Sequence, residues 1–142
     1  MSEAGIIGII VATLEEPEFE GVVSAYLFGS VAENRMHRES DVDVGVLLDR
    51  TMYESDRSRF DLKLLLSSRL SSRLSGRPAD VVVLNDAPPQ FAREIVTRGQ
   101  RLVRHDTDLD HAFVRDVQLR AADLQPFLER MRKIKLEAMA PR

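Results

Sequence analysis

The chain contains neither cysteine nor tryptophan. Without cysteine there is no disulfide, no thiolate metal site and no cysteine nucleophile. With six Phe and two Tyr as its whole aromatic complement, it lacks the stacking platform that single-stranded nucleic acid requires. Basic residues are missing where a leader would need them, because residues 1–28 hold five acids and no Lys or Arg. The apolar run Ile6 to Leu14 is too short to span a bilayer. It is followed by Glu15, Glu16, Glu18 and Glu20, the wrong flank for a secretory signal. It reads as the buried side of a first helix in a cytoplasmic protein that makes no membrane contact. The net charge of −3 offers no surplus for neutralising duplex phosphates, so no direct nucleic-acid binding is expected. Repeats, linkers and low-complexity stretches are also absent, and 142 residues make one domain, 1–142.

What is present is ordinary globular composition, 44% hydrophobic and 30% charged, enough to bury a core without metals or cross-links. Ser2 to Leu14 predicts a helix with Ser2 as its cap. Val22 to Phe28 is rich in β-branched and aromatic residues and predicts a strand, punctuated by Gly29-Ser30. Ser30 to Arg35 suits a short helical turn. Asp41 to Leu48 alternates like a second strand. Glu54 to Leu74 predicts a long amphipathic helix with Phe60, Leu62, Leu64, Leu65, Leu66, Leu70 and Leu74 as its apolar positions. Asp80 to Leu84 is a third strand, whose apolar run marks a buried central position. Pro88 to Arg98 is a helix closed by Gly99 at C′, and Arg101 to Arg104 a short edge strand. Asp108 to Ala138 is helical, with Pro126 kinking it or opening a second helix. The expected fold is α/β (α+β): a small mixed sheet of about four strands flanked by helices, ending in a long C-terminal helix. His105 and His111 read as surface residues and Tyr26 as core.

Chemistry concentrates in Gly29 to Asp43, GSVAENRMHRESDVD. Side chains at i and i+2 of a strand share a face, so Asp41 and Asp43 point the same way. Two ionised carboxylates so placed repel unless a cation lies between them. They are hard oxygen ligands of the kind used for Mg²⁺ with substrate phosphates. Gly29 lets backbone approach a phosphate closely, and Ser30 offers a hydroxyl. Asp80 joins the pair if its strand neighbours theirs, and three carboxylates on adjacent strands can hold two Mg²⁺ ions for phosphoryl transfer. Taken alone, Asp41-Val42-Asp43 would pass for two solvent-facing acids at a strand entrance. The Gly-Ser turn and the third acid turn it into a site. Arg35 and Arg38, on the loop above, are candidates for triphosphate oxygens; His37 reads as a loop residue. Lys63 reads as solvated, and Ser67, Ser68, Ser71 and Ser72 have no base nearby.

This segment resembles the signature of the DNA polymerase β-like nucleotidyltransferase superfamily, and the chain's length fits its minimal nucleotidyltransferase branch. Pro78 to Asp106 is similar to that branch's third-Asp strand, following helix and last strand. The resemblance implies a polymerase β-like fold, ATP as substrate, and AMP transfer to a tyrosine of a HEPN-domain RNase toxin encoded alongside, so that the protein acts as an antitoxin. It implies Gly29 and Ser30 as nucleotide-binding residues, and Asp41, Asp43 and Asp80 as the catalytic, metal-holding acids; Arg35 and Arg38 join the nucleotide-binding set as candidates for the positive charge that the family's Arg would supply. Asn34 stands where the family often has Gly, and Glu33 where Arg is common. Two alternatives keep the same residues: an antitoxin that works by covering its toxin, and a small-molecule nucleotidyltransferase. The C-terminal segment 107–142 carries an apolar stripe longer than a small sheet needs, and its second half is expected to dock a partner.

Overall fold

The structure, a computed structural model, describes residues 1–29 and 41–139. Helix α1 (Glu3–Leu14) opens on Ser2, whose hydroxyl accepts from the Gly5 amide. Strand β1 (Val22–Phe28) is antiparallel to β2 (Val42–Leu48) on one side and to β4 (Gln100–Arg104) on the other. Helix α2 (Asp56–Arg73) begins with a capping box between Ser55 and Ser58 and forms the crossover that a parallel pair requires. It leads to β3 (Ala79–Val83), which pairs in parallel with β2. Helix α3 (Pro89–Arg98) and helix α4 (Thr107–Met139) follow. The strand order is β3-β2-β1-β4. Among the described residues, no helix is long and apolar enough to cross a membrane.

Strand alternation splits the core into two faces. Val42, Val44, Val46 and Leu48 of β2, with Ala25 and Leu27 of β1, pack against Ile6, Ile10 and Leu14 of α1 and Leu62, Leu66 and Leu70 of α2. Both helices present their apolar residues at four-residue steps, one stripe each. The other face is smaller: Tyr26, Leu47 and Leu84 meet Ala92 and Ile95 of α3 and Val117 of α4. Gly45 makes that contact possible. A Cβ there would stand 3.0 Å from Ile95 Cγ2 and 3.3 Å from Leu84 Cδ2.

The structure corrects several expectations. β3 is an edge strand, not a central one. Its apolar run arises because Val81 and Val83 are buried beneath α2 while Val82 is half-buried on the other face, so cover above and below replaces a second neighbouring strand. Phe60, Leu64 and Leu65 stay exposed, since the Leu62–Leu66–Leu70 ladder already fills the α2 contact. Gly99 caps α3 at φ −73, not in the left-handed region. Glycine is needed there because a Cβ would collide with the Ile95 carbonyl. Of the two outcomes expected at Pro126, the opening of a second helix does not occur: α4 runs through it as one helix, and proline removes one hydrogen bond at an exposed turn. His105 is not a free surface residue: Nδ1 meets the Val22 carbonyl at 2.8 Å and Nε2 meets Glu15 at 2.8 Å, tying β4 to α1. Ser67 and Ser71 serve structure as well. Ser67 donates to the Ala79 carbonyl and Ser71 accepts from the Ala79 amide, fixing the residue beside Asp80.

Tyr26 is core, as expected, and has a role its position did not announce. Its hydroxyl donates to Asp110 Oδ1 at 2.6 Å, pinning the first turn of α4 to the sheet. Asp110 is fully buried, and Arg101 Nε lies 3.5 Å from its second oxygen. Burial and the Asp110 acceptor both push the Tyr26 phenol above its ordinary pKa. Tyr26→Phe leaves a buried carboxylate short of its donor and should cost about 1–3 kcal/mol. Urea unfolding of the variant measures it, and an unchanged midpoint would contradict the pinning role.

Candidate active site

The site begins with register. Parallel pairing sets Asp80 of β3 opposite Asp43 of β2, and antiparallel pairing sets Phe28 of β1 opposite Asp43. Opposed residues share a face, so Phe28, Asp43 and Asp80 form one row across three strands. The next row along that face is Tyr26, Gly45 and Val82, which α3 covers through Ile95 and Leu84 packs against. The same helix reaches the acid row at Phe28, through Phe91. Asp80 is exposed, Asp43 half-buried, and Asp41 exposed one residue ahead of β2.

Gly29 closes the row from the β1 side. It sits at φ +78, where a side chain is strained. A Cβ on it would collide with the Asp43 carboxylate. The close approach expected for a phosphate is, in this structure, an approach to Asp43 itself. Burial is the larger cause that pushes Asp43 up to about 6, and the negative charges of Asp80 and Asp41 add to it. That mutual repulsion is the electrostatic mark of convergence. Among the described residues, no three acidic, histidine or cysteine side chains are placed to hold a metal ion together. The donor chemistry nevertheless fits a hard divalent cation, since Asp43 and Asp80 present carboxylates from adjacent strands on one face.

The structure thus brings Gly29, Asp43 and Asp80 side by side, with Asp41 one residue ahead of β2 and near enough for its charge to act on Asp43. Ser30, Arg35 and Arg38, with His37, Glu33, Asn34 and the expected turn Ser30–Arg35, lie outside the described residues. Two features escaped the sequence reading. Phe28 stands in the acid row, and its ring meets Phe91 of α3 edge-on, centroids 5.9 Å apart at 80°. The signal was present, since Phe28 keeps step with Tyr26 on β1, but its neighbour Phe91 is 63 residues away in sequence. Arg59 is the second. Its guanidinium bonds Asp86 at 2.9 Å, Asp56 at 2.5 Å and the Tyr53 carbonyl at 2.9 Å, clamping the start of α2 to the turn after β3. Nothing short-range in the sequence couples Arg59 to Asp86.

Comparison with known proteins agrees with this geometry. The protein adenylyltransferase MntA of Shewanella oneidensis is 35% identical over 77 residues, 54% of this chain and 50% of that protein, so the match spans about half the relative's length. A chain from a crystal structure of a toxin–antitoxin with AMP-PNP superposes with a TM-score of 0.65 at 25% identity, covering 99% of this chain and all of that one. The tri-AMPylated HEPN toxin of Shewanella oneidensis in complex with its MNT antitoxin contributes a chain with a TM-score of 0.64 at 22% identity, covering 97% of this chain and 99% of that one; this likeness concerns the fold. The family described as Polymerase beta, Nucleotidyltransferase matches residues 10–108. That span holds the whole sheet and the acid row, and the chain belongs to the polymerase beta nucleotidyltransferase family.

Proposed function

We propose that this chain transfers AMP from ATP to a tyrosine hydroxyl of a HEPN-domain RNase toxin, with Mg²⁺ as cofactor, and acts in the cytoplasm as that toxin's antitoxin. The observation that carries this is the pairing of Asp43 with Asp80, with Gly29 seated on the Asp43 carboxylate. Family membership and the adenylyltransferase relative support it. Asp41, Asp43 and Asp80 would hold the metal, two ions in this reading, and the ions when bound supply charge neutralisation at the α-phosphate and the leaving pyrophosphate. Gly29 and Ser30, with Arg35 and Arg38, take the phosphate side. Asp80, on the opposite flank, accepts the proton of the acceptor hydroxyl as its oxygen attacks the α-phosphate and the bond to pyrophosphate breaks. Positioning and electrostatics provide most of the acceleration.

The experiment is incubation of the protein, labelled ATP and Mg²⁺ with the HEPN toxin encoded in the neighbouring reading frame. Label should appear on a toxin tyrosine. Chelation should abolish it and, because triphosphate and acid row are both negative, should also weaken ATP binding at least tenfold by calorimetry. Equal ATP affinity with and without Mg²⁺ would count against the reading.

In this reading, residues 1–142 work as one domain and segment 107–142 doubles as a docking element. Leu124, Phe127, Met131 and Ile134 of α4 follow at three- and four-residue steps and are all exposed, the spacing of a helix seam awaiting a partner helix. That observation favours the second reading, in which covering the toxin suffices. An Asp41→Ala/Asp43→Ala double variant separates the two: protection of cells equal to wild type would make catalysis dispensable.

A further inference from the structure

Beside the acid row, a cleft of about 800 Å³ runs along the free edge of β3, between the first turns of α2 and α3. Its walls include Phe60 and Lys63 of α2, Val82 of β3, and Pro88 and Phe91 at the start of α3. We infer that this cleft receives the acceptor: a tyrosine-bearing peptide segment whose apolar neighbours lie against Phe60 and Phe91. The inference rests on the proposed transfer reaction and adds to it where the acceptor binds.

Two links tie the cleft to the site. Val82 is two residues beyond Asp80 on the same strand and face, a step of roughly 7 Å. Phe91, the opposite wall, touches Phe28, which stands beside Asp43 in the acid row. The cleft therefore lies one row along the same face from Asp80.

Direction follows from the chemistry. Attacking and leaving oxygens lie roughly in line across the transferred phosphorus. In the proposed reaction the phosphates lie at the β1 end of the row, on the Gly29 side. The attacking hydroxyl then enters from the β3 end, the side on which this cleft lies.

Charge points to the same occupant. The lining holds two acids, Asp56 and Asp86, and two cations, Arg57 and Lys63, so the walls have little net charge to offer a strongly anionic triphosphate. What they expose is apolar: Phe60 is 51% and Phe91 42% exposed, large rings left in water beside a reactive centre. Such surface suits a protein segment better than a phosphate. Beneath it, Arg59 ties the start of α2 to the turn after β3.

The test compares wild type, Phe60→Ala and Phe60→Ala/Phe91→Ala. Phe60 is exposed, so the single variant should keep the wild-type melting temperature even if the double variant loses some through the Phe28 contact. The KM for the HEPN toxin should rise about threefold in the single variant and tenfold or more in the double. The affinity for Mg²⁺–ATP should stay within twofold. A parallel loss of Mg²⁺–ATP affinity would assign the cleft to the nucleobase and overturn the inference. An unchanged toxin KM in both variants would overturn it too. Absence of transfer by wild type would instead defeat the proposed reaction, and the inference with it.

Discussion

Asp43→Asn should abolish the proposed AMP transfer while making the metal-free protein more stable at neutral pH. Both effects have one origin. Asp43 is held at a pKa of about 6 by burial and by the charges of Asp80 and Asp41, above the value of the unfolded chain. Between about pH 4 and pH 6 the folded protein therefore binds more protons than the unfolded one, and stability falls as pH rises through that window. Below it the contribution is fully present; above pH 6 it is gone. Asn has no proton to lose. At pH 7.5 the variant should gain on the order of 1 kcal/mol over wild type, allowing for solvent screening of a half-exposed carboxylate. At pH 3.5 the two should melt together. Mg²⁺ should raise the wild-type melting temperature through its binding to the ionised row and move the variant little. Transfer should fall by about 10³-fold or more, since a ligand for the neutralising charge is lost. Melting curves at the two pH values, with and without Mg²⁺, beside a transfer assay, check all of this. A variant less stable than wild type at pH 7.5 would mean that Asp43 is an ordinary structural acid.

Gly29→Ala should be the most damaging single-methyl change in the chain for activity, at small cost to the fold. The left-handed backbone at φ +78 costs a residue with a Cβ about 1–2 kcal/mol. The new methyl would also occupy the space of the Asp43 carboxylate. The side chain of Asp43, half-exposed, can swing aside, whereas the β1 backbone, buried in the sheet, cannot. The carboxylate therefore leaves its place opposite Asp80. Misplacement of a catalytic group by about 1 Å costs roughly 10²-fold, and transfer should fall at least that far. Circular dichroism should show the native fold. A further Asp43→Asn change on this background should cost far less activity than it does in wild type, because both substitutions disable the same carboxylate. Additive losses would show that Gly29 acts elsewhere, on the phosphate alone.

Much of this protein was legible in its residues. The strand Val22–Phe28 was found to the residue, because β-branched and aromatic residues end at a glycine. The other strands and α-helices of the described residues lay within two residues of their observed ends, for the local reason that caps and breakers such as Ser2 and Gly99 act on their immediate neighbours. The pair Asp41 and Asp43 was legible because strand geometry alone puts i and i+2 on one face. Its partnership with Asp80 was conditional on strand order, which is a long-range property. Tertiary structure decided that β3 lies at the edge and in parallel register with β2, so that Asp80 stands opposite Asp43 and beside an open cleft. It decided that Gly29 serves the Asp43 carboxylate, a contact across 14 positions of sequence. It decided the buried bond between Tyr26 and Asp110 and the clamp of Arg59 on Asp86. Sequence pattern reports which face of its own element a residue occupies. Which faces meet depends on packing among elements, and there the walls of the site and the cleft beside it were made.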